Sequence, residues 1–577
     1  MLGQDSSFTH HASLIQETFP VLRFTSFRRS FSGLNNLWTH PFLRSRYGIA
    51  VLGGLLWTGA FPRPQVAGLA WVAPGLILAA GIGKGAAEQF RLGYVAGLTH
   101  YLTMLYWLLL IPYRWHGIPL GPAVGWLALG GFLALYPALW MWLSSPSEDL
   151  GEFGKGALAR NWFLRTGWAI SGAAIWVGWE MLLARFLGGF PWCLLGVSQY
   201  GMVPLIQLAS VTGVYGISFV VVWTSLALLS AGLLLIRRPT IRSVWLGEIF
   251  LPLITVAVIF NIGLRHDHTP EPVRTVRLLL VQPSIPQTVI WNPDNEAERF
   301  QELLRQTDQG LSNRVDLLVW PESAVPKMVR YDTNTLNAIA DLGKRHHVWI
   351  ILCSDDAERP SRREPPLFFN SSFLITPDGE LRQRYIKQNL VIFGEYVPLV
   401  RWMPFLKIFT PIESGFTPGT HGVQFSLPEL DLRTSVLICF EDVFPHLARR
   451  DVSPETDFLV NLTNDGWFDE TAEQWQHALT GLFRAVENGV PLIRCCNNGL
   501  TCWIDAQGRL RQIFRDDRGT IYGKGYLLAD VPAASFGPQH VLTFYTRHGD
   551  WFGWSCVGLL VAVLVWKIAA MRRGRKV

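Results

Sequence analysis

Residues 434–442 read TSVLICFED, and this stretch decides how the middle of the chain is interpreted. Apolar and β-branched residues run up to Ile438, and Cys439 stands at the polar end of the run. Short apolar runs of this kind, bounded by polar residues, are typical of β-strands. Six further runs predict strands in the same way: VRLLLVQPSI (276–285), VDLLVWPES (315–323), HVWIILCSDD (347–356), SSFLITPDG (371–379), DFLVNLTND (457–465) and PLIRCCNN (491–498).

Helix-like stretches lie between the predicted strands, at residues 294–310, 333–345 and 472–488. Alternating strands and helices predict a layered α/β domain whose reactive groups stand at strand ends, where loops hold them. Residues 271–540 have this soluble character, whereas long apolar runs dominate residues 46–264 and 551–570. We therefore predict a membrane body that carries one soluble insertion.

The composition agrees with a membrane protein. Hydrophobic residues make up 49% of the 577 residues and charged residues only 16%, whereas soluble proteins carry about 25% charged residues. A helix needs roughly 20 apolar residues to cross the hydrocarbon core of a bilayer. We predict about eight transmembrane helices, near residues 46–61, 64–82, 92–112, 122–144, 167–187, 214–236, 243–264 and 551–570.

The distribution of lysine and arginine predicts the orientation of these helices, because basic loops stay in the cytoplasm. Alternate connections and the C-terminal tail are basic: Lys84 and Arg91; Lys155, Arg160 and Arg165; Arg237, Arg238 and Arg242; Arg572, Arg573, Arg575 and Lys576. Both termini are therefore predicted inside and the soluble insertion outside. The net charge of +6 follows from this topology, and no basic face on the insertion points to nucleic acid.

Four segments result from this division of the chain. They are a cytoplasmic leader (1–45), whose order we leave open, a seven-helix transmembrane domain (46–264), an extracytoplasmic catalytic domain (265–550), and the last helix with its basic tail (551–577). Seven cysteines without regular spacing argue against a disulfide framework. No short Cys/His cluster has the spacing of metal ligands, so we expect neither a metal nor a cofactor.

Cys439 is the candidate nucleophile. A thiol reacts as thiolate, and it needs a neighbouring base or cation to become one. No histidine occupies a comparable strand-end position, but Glu322 follows a predicted strand in WPES, and Lys387 stands in YIKQNLVIFGEYVP. Loops at one edge of one sheet would bring these three residues together.

Glutamate, lysine and cysteine form a coherent set for acyl transfer. Glu322 would accept the thiol proton as general base and return it to the leaving group. Lys387 would stabilise the oxyanion of a tetrahedral intermediate, together with the backbone N–H of Phe440. Glu395 and Glu441 are expected to hold Lys387 in place and keep it charged.

The blocks WPES, YIKQNLVIFGEYVP and ICFED, together with NLTNDGWF (461–468), resemble the four motifs of the nitrilase superfamily. More narrowly, they resemble those of the apolipoprotein N-acyltransferase family. LGGFPWCLLGVSQY (187–200), TGVYGISF (212–219) and WEMLLARF (179–186) resemble that family's membrane motifs, and RAVENGVPLIRCCNNG (484–499) its segment after the catalytic cysteine. The resemblance covers about residues 46–570 and implies an αββα sandwich in the soluble domain.

The resemblance also implies a ping-pong reaction in the bacterial inner membrane, with the catalytic domain in the periplasm. Cys439 would take an acyl chain from the sn-1 position of a phospholipid, usually phosphatidylethanolamine, as a thioester. The α-amine of the S-diacylglyceryl cysteine of an apolipoprotein would then receive it. By position, the family assigns Glu322, Lys387 and Cys439 as base, oxyanion stabiliser and nucleophile, and Glu395 and Glu441 as supporting acids.

Four further residues are expected to contact substrate. Trp467 matches a tryptophan at the mouth of the family's active site, and Asn464 precedes it in the same motif. Trp402 and Phe405 lie in VPLVRWMPFLKIF (397–409), a segment that is apolar, aromatic and basic together. We interpret this segment as an arm that rests on the bilayer, and the alternative is an ordinary covered loop.

Three other functions stay open at this point. A membrane-tethered amidase or hydrolase would resolve the thioester with water, although a tether would need only one helix. A transporter or scaffold with an inactive nitrilase domain would have no reason to keep all three ionisable residues. A module that partners a glycosyltransferase would resemble known fusions, but the chain has no such extra domain.

Overall fold

The structure is a computed structural model that describes residues 45–112, 120–146, 161–237, 243–266, 274–290, 292–398, 400, 402–404, 415–533 and 541–574. The predicted leader, apart from Ser45, lies outside the described residues. So do Phe405, most of the predicted arm, and the basic residues Lys155, Arg160, Arg238, Arg242, Arg575 and Lys576.

Helices stand at all eight positions where spans are predicted. We number the α-helices of six or more residues in chain order, and two of them, α4 and α5, share the predicted span 122–144. The helices at the predicted spans are α1 (Arg46–Gly59), α2 (Ala73–Gly81), α3 (Ala86–Met104), α4 (Gly121–Leu133), α5 (Leu135–Ser144), α6 (Trp162–Leu183), α7 (Val214–Arg237), α8 (Leu251–His266) and α13 (Trp551–Gly574). A π-helix, Trp245–Phe250, leads into α8. The predicted span 64–82 is split between a 3-10 helix, Ala67–Trp71, and the short α2.

Four of these helical stretches are long and apolar enough to cross a membrane within the described residues. They are Gly121–Ser144, Val214–Ile236, Trp245–Arg265 and Trp551–Arg572. The stretch Ala67–Gly81 is apolar but shorter. Because a bilayer leaves no water for backbone groups, the helical form that satisfies them internally is the one expected here.

Among its described residues, the predicted soluble domain has twelve strands in two six-stranded sheets. Their bounds are β1 (Thr275–Gln282), β2 (Leu317–Val319), β3 (Trp349–Glu358), β4 (Leu367–Ile375), β5 (Leu381–Ile386), β6 (Gln424–Leu427), β7 (Leu432–Ile438), β8 (Phe458–Thr463), β9 (Leu492–Cys496), β10 (Cys502–Ile504), β11 (Leu510–Ile513) and β12 (Gly525–Pro532). The sheet orders are β12-β1-β2-β3-β4-β5 and β11-β10-β9-β8-β7-β6. All seven predicted strands are confirmed.

The three predicted helices of this domain are also confirmed, as α9 (Glu296–Gly310), α10 (Thr333–His346) and α12 (Glu473–Asn488), and a short α11 (Pro445–Arg450) follows β7. The side chains of β1 alternate between two cores, as the two-residue period of a strand requires. Leu278 and Leu280 pack between the two sheets, whereas Leu279 and Val281 pack against α9 and α10. The layer order is therefore helix, sheet, sheet, helix.

Helix α12 forms the outer layer on the second sheet and is buried on nearly all sides. Its apolar residues join one continuous core with β7, β8 and β9 on one side and with membrane-domain residues such as Trp192 and Val214 on the other. The side chain of Gln476 accepts hydrogen bonds from the Trp107 and Trp192 indoles at 3.1 and 3.0 Å and donates one to the Pro62 carbonyl at 3.1 Å. The two domains therefore meet on α12.

Candidate active site

The chemistry-bearing residues follow strands that end at the same edge of the sandwich. β2 and β3 are parallel, and β4 and β5 each reverse direction, so β5 runs the same way as β2. Glu322 follows β2, Lys387 directly follows β5, and Cys439 directly follows β7. Reactive groups collect at strand ends because loops there can aim side chains without disturbing the sheet.

Lys387 lies at the centre of a buried cluster of acids. Its Nζ is 2.8 Å from Glu395 Oε1 and 3.4 Å from Glu322 Oε1. The Asn370 side-chain amide donates to the same two oxygens, at 2.9 and 2.8 Å, and so fixes the two carboxylates. Glu395 Oε2 accepts from the Val391 amide at 2.8 Å. The structure thus brings Glu322, Lys387 and Glu395 together, as predicted.

The charge state of Lys387 follows from these neighbours. Burial lowers the pKa of Lys387, but the negative charges of Glu322 and Glu395 raise it more, and the pKa lies well above its usual value. Lys387 therefore stays cationic at neutral pH, although its side chain is buried. A fixed cation at this place can stabilise negative charge that develops on a substrate oxygen.

Cys439 occupies a strained backbone position at the start of a 3-10 helix, Cys439–Val443. Its φ is +54°, in the left-handed region, which costs a residue other than glycine roughly 1–2 kcal/mol. Two contacts hold this turn: Asn461 Nδ2 donates to the Cys439 carbonyl at 2.9 Å, and Glu441 Oε2 accepts from the Ile438 amide at 2.7 Å. Residue Cys439 is partly buried at the end of β7, and backbone strain of this kind is common at functional sites.

The thiol itself is protonated at rest. Burial raises the pKa of the Cys439 thiol and the charge of Glu322 raises it further, while Lys387 offsets only part of this, so that the pKa lies well above its usual value. A thiol in this state needs a base to become a nucleophile, and the carboxylates of Glu322 and Asp465 both act on its pKa, Glu322 the more strongly. The Phe440 amide lies in the first turn of the 3-10 helix, where N–H groups have no acceptor within the helix.

Glu441 supports Lys387 without a direct contact, because its carboxylate forms hydrogen bonds with other groups. Oε1 accepts from the Gln388 and Asn389 amides at 2.6 and 3.0 Å, and Oε2 accepts from the Tyr385 hydroxyl at 2.8 Å as well as from Ile438. Glu441 therefore ties the backbone after Lys387 to the backbone before Cys439. It positions the two reactive segments relative to each other.

The residues predicted to contact substrate differ in how deeply they are buried. Asn464 is buried, and its side chain bonds to Gln287, Asn497 and the Gly466 amide. These bonds shape the loop that carries Trp467, and contact of Asn464 with substrate stays a prediction. Trp467 is half-buried in the 3-10 helix Asp465–Phe468. Trp402 is 81% exposed, on the described part of the predicted arm.

A second ionic cluster lies behind the nucleophile. His477 on α12 is bound through Nδ1 to Asp465 at 2.8 Å and through Nε2 to Asp442 at 2.9 Å, and Arg494 pairs with both aspartates. Asp465, Glu473 and His477 lie close enough to hold a metal ion. Both ring nitrogens of His477 are already engaged by carboxylates, however, and Arg494 supplies further positive charge. With its histidine nitrogens engaged and an arginine beside its aspartates, the cluster does not fit a cation.

Two families match the two parts of the chain. The carbon-nitrogen hydrolase family matches residues 277–525, and the apolipoprotein N-acyltransferase N-terminal domain matches residues 53–227. An apolipoprotein N-acyltransferase of Geobacter metallireducens is 34% identical, over 91% of this chain and 96% of that protein.

The chain belongs to the apolipoprotein N-acyltransferase family. The apolipoprotein N-acyltransferase of Vibrio cholerae serotype O1 is 30% identical, over 83% of this chain and 90% of that protein. Among solved structures, a member of branch 10 of the nitrilase superfamily from Saccharomyces cerevisiae is 16% identical, with a TM-score of 0.34 over 46% of this chain and 93% of that one. The carbon-nitrogen hydrolase match confirms the nitrilase-like domain.

Sequence reasoning missed Asn370 and the cluster around His477 in this member of the apolipoprotein N-acyltransferase family. Asn370 opens a polar run, Asn-Ser-Ser, inside the otherwise apolar β4. That interruption was a usable signal, since a buried polar residue in a strand must find a partner. Nothing in the local sequence of His477 indicates its role, because its two partners come from distant segments.

Proposed function

We propose that this chain N-acylates lipoproteins in a ping-pong reaction, carrying the acyl chain as a thioester on Cys439. Membership of the apolipoprotein N-acyltransferase family makes it an acyltransferase enzyme. The observation that carries the mechanism is the buried cation Lys387 between Glu322 and Glu395, beside a protonated thiol. The acyl donor is a phospholipid, here phosphatidylethanolamine, and the acceptor is a diacylglyceryl apolipoprotein.

In the first half-reaction, Glu322 accepts the Cys439 proton as the sulfur attacks the sn-1 ester carbonyl. The carbonyl oxygen becomes an oxyanion, which Lys387 and the Phe440 N–H stabilise. The carbon–oxygen bond then breaks, and Glu322 returns the proton to the leaving alkoxide. The products are a thioester on Cys439 and a lysophospholipid.

In the second half-reaction, the neutral α-amine of the diacylglyceryl cysteine attacks the thioester carbonyl. Glu322 accepts a proton from this nitrogen, and the same two donors stabilise the new oxyanion. The carbon–sulfur bond breaks to give an amide, and the sulfur recovers its proton from Glu322. The enzyme returns to its starting state without any external oxidant or reductant.

A hydrolase would carry out the same first half-reaction and differ only in the second. The family match at residues 53–227 favours the transferase, because this membrane domain belongs to the N-acyltransferases. The test is transfer by purified protein of a labelled acyl chain from phosphatidylethanolamine to a synthetic diacylglyceryl peptide. We expect labelled amide. Release of the label only as free fatty acid would establish a hydrolase instead.

The topology is proposed from the positive-inside rule. The helices at eight predicted positions support eight spans over 46–264 and 551–577, with both termini in the cytoplasm of the inner membrane and the catalytic domain, 265–550, in the periplasm. The leader (1–45) is then cytoplasmic. Among described residues, Lys84 and Arg91 flank the start of α3, on the predicted cytoplasmic side.

Reporter fusions test this topology. A periplasmic reporter inserted after residue 300 should be active, and the same reporter fused after residue 575 should be inactive, since these positions lie on opposite sides. A cytoplasmic reporter at the two positions is the matched control and should show the reverse pattern. The same side for both positions would contradict the eight-span arrangement.

We infer that residues 397–409 form an arm on the bilayer surface that delivers the lipid donor. Trp402 supports this, because a tryptophan that is 81% exposed is costly in water but is favoured at a membrane interface. Trp402→Glu should weaken the use of vesicle-presented phospholipid, seen as a raised KM, and leave thiol labelling of Cys439 intact. A charge in place of the indole opposes burial among lipid headgroups.

Tyr331→Glu is the matched control for the arm, since Tyr331 is a second exposed aromatic residue of the same domain, 61% exposed. It should leave the KM for the donor unchanged. If Trp402→Glu also leaves the KM unchanged with vesicles, the segment is an ordinary loop. Measuring both variants with a detergent-dispersed short-chain donor separates membrane contact from general damage.

A further inference from the structure

His477 contacts both segments that build the nucleophile's surroundings, although the proposed mechanism does not use it. His477 is a residue of α12, and its side chain is buried. Asp442, which it binds at 2.9 Å, belongs to the 3-10 turn that begins at Cys439. Asp465, which it binds at 2.8 Å, follows β8 and begins the 3-10 helix that carries Trp467. One imidazole thus connects the two segments.

A hydroxyl group links this arrangement to the thiol. The Thr463 side chain lowers the pKa of the Cys439 thiol, and its hydroxyl donates to Asp465 Oδ1 at 3.0 Å. A hydroxyl has one proton and can donate it to one acceptor at a time. When Cys439 becomes a thiolate, its negative charge attracts the Thr463 proton away from Asp465 and toward the sulfur. Asp465 Oδ1 then retains its hydrogen bond from His477.

We propose that His477 is a positioning residue for the nucleophile: its imidazolium holds Asp465 so that Thr463 can donate to the Cys439 thiolate, and it fixes Asp442 in the same turn. This inference rests on the proposed function of Cys439. His477 touches no substrate and exchanges no proton in the reaction. Its effect is exerted through Thr463, which stabilises the sulfur both when it attacks and when it leaves.

The charge needed for this role is present at neutral pH. Burial lowers the pKa of His477, but Asp442 and Asp465 raise it more, to about 10. The other titratable groups around it are Glu473, whose pKa burial and the charge of Asp465 raise well above its usual value, and Arg494. Burial favours the neutral form of Glu473, and His477 and Arg494 place two positive charges beside the two aspartates. Replacing His477 with a neutral residue removes one of these positive charges near Cys439.

Helix α12, which carries His477, is held in place by residues of the membrane domain. The preceding residue, Gln476, is held by Trp107, Trp192 and the Pro62 carbonyl, and the Trp192 ring lies 5.4 Å from the His477 ring. Trp192 also packs 6.1 Å from the Phe440 ring, next to the nucleophile. The imidazole therefore cannot shift along α12 without disturbing contacts on both sides.

The test is the pH dependence of Cys439 alkylation in full-length protein, with iodoacetamide as probe and mass spectrometry of the Cys439 peptide as readout. In His477→Gln, the apparent pKa of alkylation should rise by about one unit, which makes alkylation ~10-fold slower at a fixed neutral pH. kcat for acyl transfer should fall by a similar factor, while the KM for the acceptor peptide stays unchanged. If His477 had a purely structural role, His477→Gln would lower the stability of the fold. The pH profile of Cys439 alkylation in the folded fraction would then stay unchanged.

Thr480→Val is the matched control, because Thr480 is equally buried on the same helix and hydrogen-bonds to the Gln476 carbonyl. It should alkylate like the unaltered protein. A superimposable profile for His477→Gln would overturn the proposal. If His477→Gln does not fold, Thr463→Val tests the same connection: it should show the same upward shift, and an unchanged profile would overturn the proposal equally.

Failure of this inference can be distinguished from failure of the proposed function, since alkylation requires no lipid. A shifted profile in a protein that transfers no acyl chain would support the role of His477 and contradict the N-acyltransferase mechanism. Normal acyl transfer with an unshifted alkylation profile would support the N-acyltransferase mechanism and contradict the role of His477.

Discussion

Cys439→Ala should form neither acyl-enzyme nor amide product, because no other group at the site can hold the acyl chain. Incubated with phospholipid alone, the unaltered protein should gain the mass of one acyl group on the Cys439 peptide, in a linkage that neutral hydroxylamine cleaves. Adding the diacylglyceryl peptide should then discharge this adduct into amide. Cys439→Ser should trap a slowly formed oxygen ester, since a hydroxyl is a poorer nucleophile and alkoxide a poorer leaving group.

Cys556→Ala is the matched control for this experiment, because Cys556 is a buried thiol of the last helix, α13, far along the chain from the site. It should form the adduct and the product normally. Amide made by Cys439→Ala, or an adduct found on a peptide without Cys439, would show that the thioester mechanism is wrong.

Glu322→Gln and Lys387→Met should slow acylation without removing the nucleophile. Glutamine keeps the size of Glu322 but cannot accept the thiol proton, so acylation should fall by about 10²–10⁴-fold. Methionine keeps the length of Lys387 but removes the cation that faces the oxyanion, so the loss should be about 10²–10³-fold. Single-turnover mass spectrometry of the acyl-enzyme measures both rates directly.

Glu358→Gln and Lys327→Met are the controls for these two variants. Both side chains are half-exposed ion-pair partners in the same domain, Glu358 with Arg330 and Arg384, and Lys327 with Asp332. Exposed pairs contribute little, about 0–1 kcal/mol, so acylation should be unchanged. If Lys387→Met acylates as fast as Lys327→Met, the oxyanion is stabilised by other groups and Lys387 only neutralises Glu322 and Glu395.

The sequence predicts the central strands well and the outer strands poorly. Buried strands such as β7 and β8 are continuous apolar runs, because both of their faces are covered. Edge strands such as β5, LRQRYI, and β11, LRQI, expose part of their surface and mix polar with apolar residues. Such runs resemble loops, so composition alone does not reveal them.

Glu322 and Cys439 could be singled out because each follows a strand whose end the sequence marks, whereas Lys387 follows the edge strand β5 and is singled out by its block YIKQNLVIFGEYVP. The supporting contacts could not be predicted in the same way. The side chain of Glu441 accepts hydrogen bonds from the backbone of residues 388 and 389. Cys439, two residues earlier, adopts a left-handed conformation that no residue type in LICFED indicates. The partners of His477 depend on how α12 packs, which is a property of the whole fold.

The shared core around α12 also has a consequence for biosynthesis. Residues 46–264 leave the ribosome first, so the membrane helices exist before residues 473–488 are made. Glu487 accepts a hydrogen bond from the Val214 amide at 2.9 Å, and Gln476 donates one to the Pro62 carbonyl. Residues of α12, which are synthesised later, therefore pack against membrane-domain residues that are synthesised earlier. We therefore expect the earlier helices to act as a template on which the catalytic domain finishes folding, and a separately expressed fragment of residues 275–533 to be prone to aggregation and proteolysis.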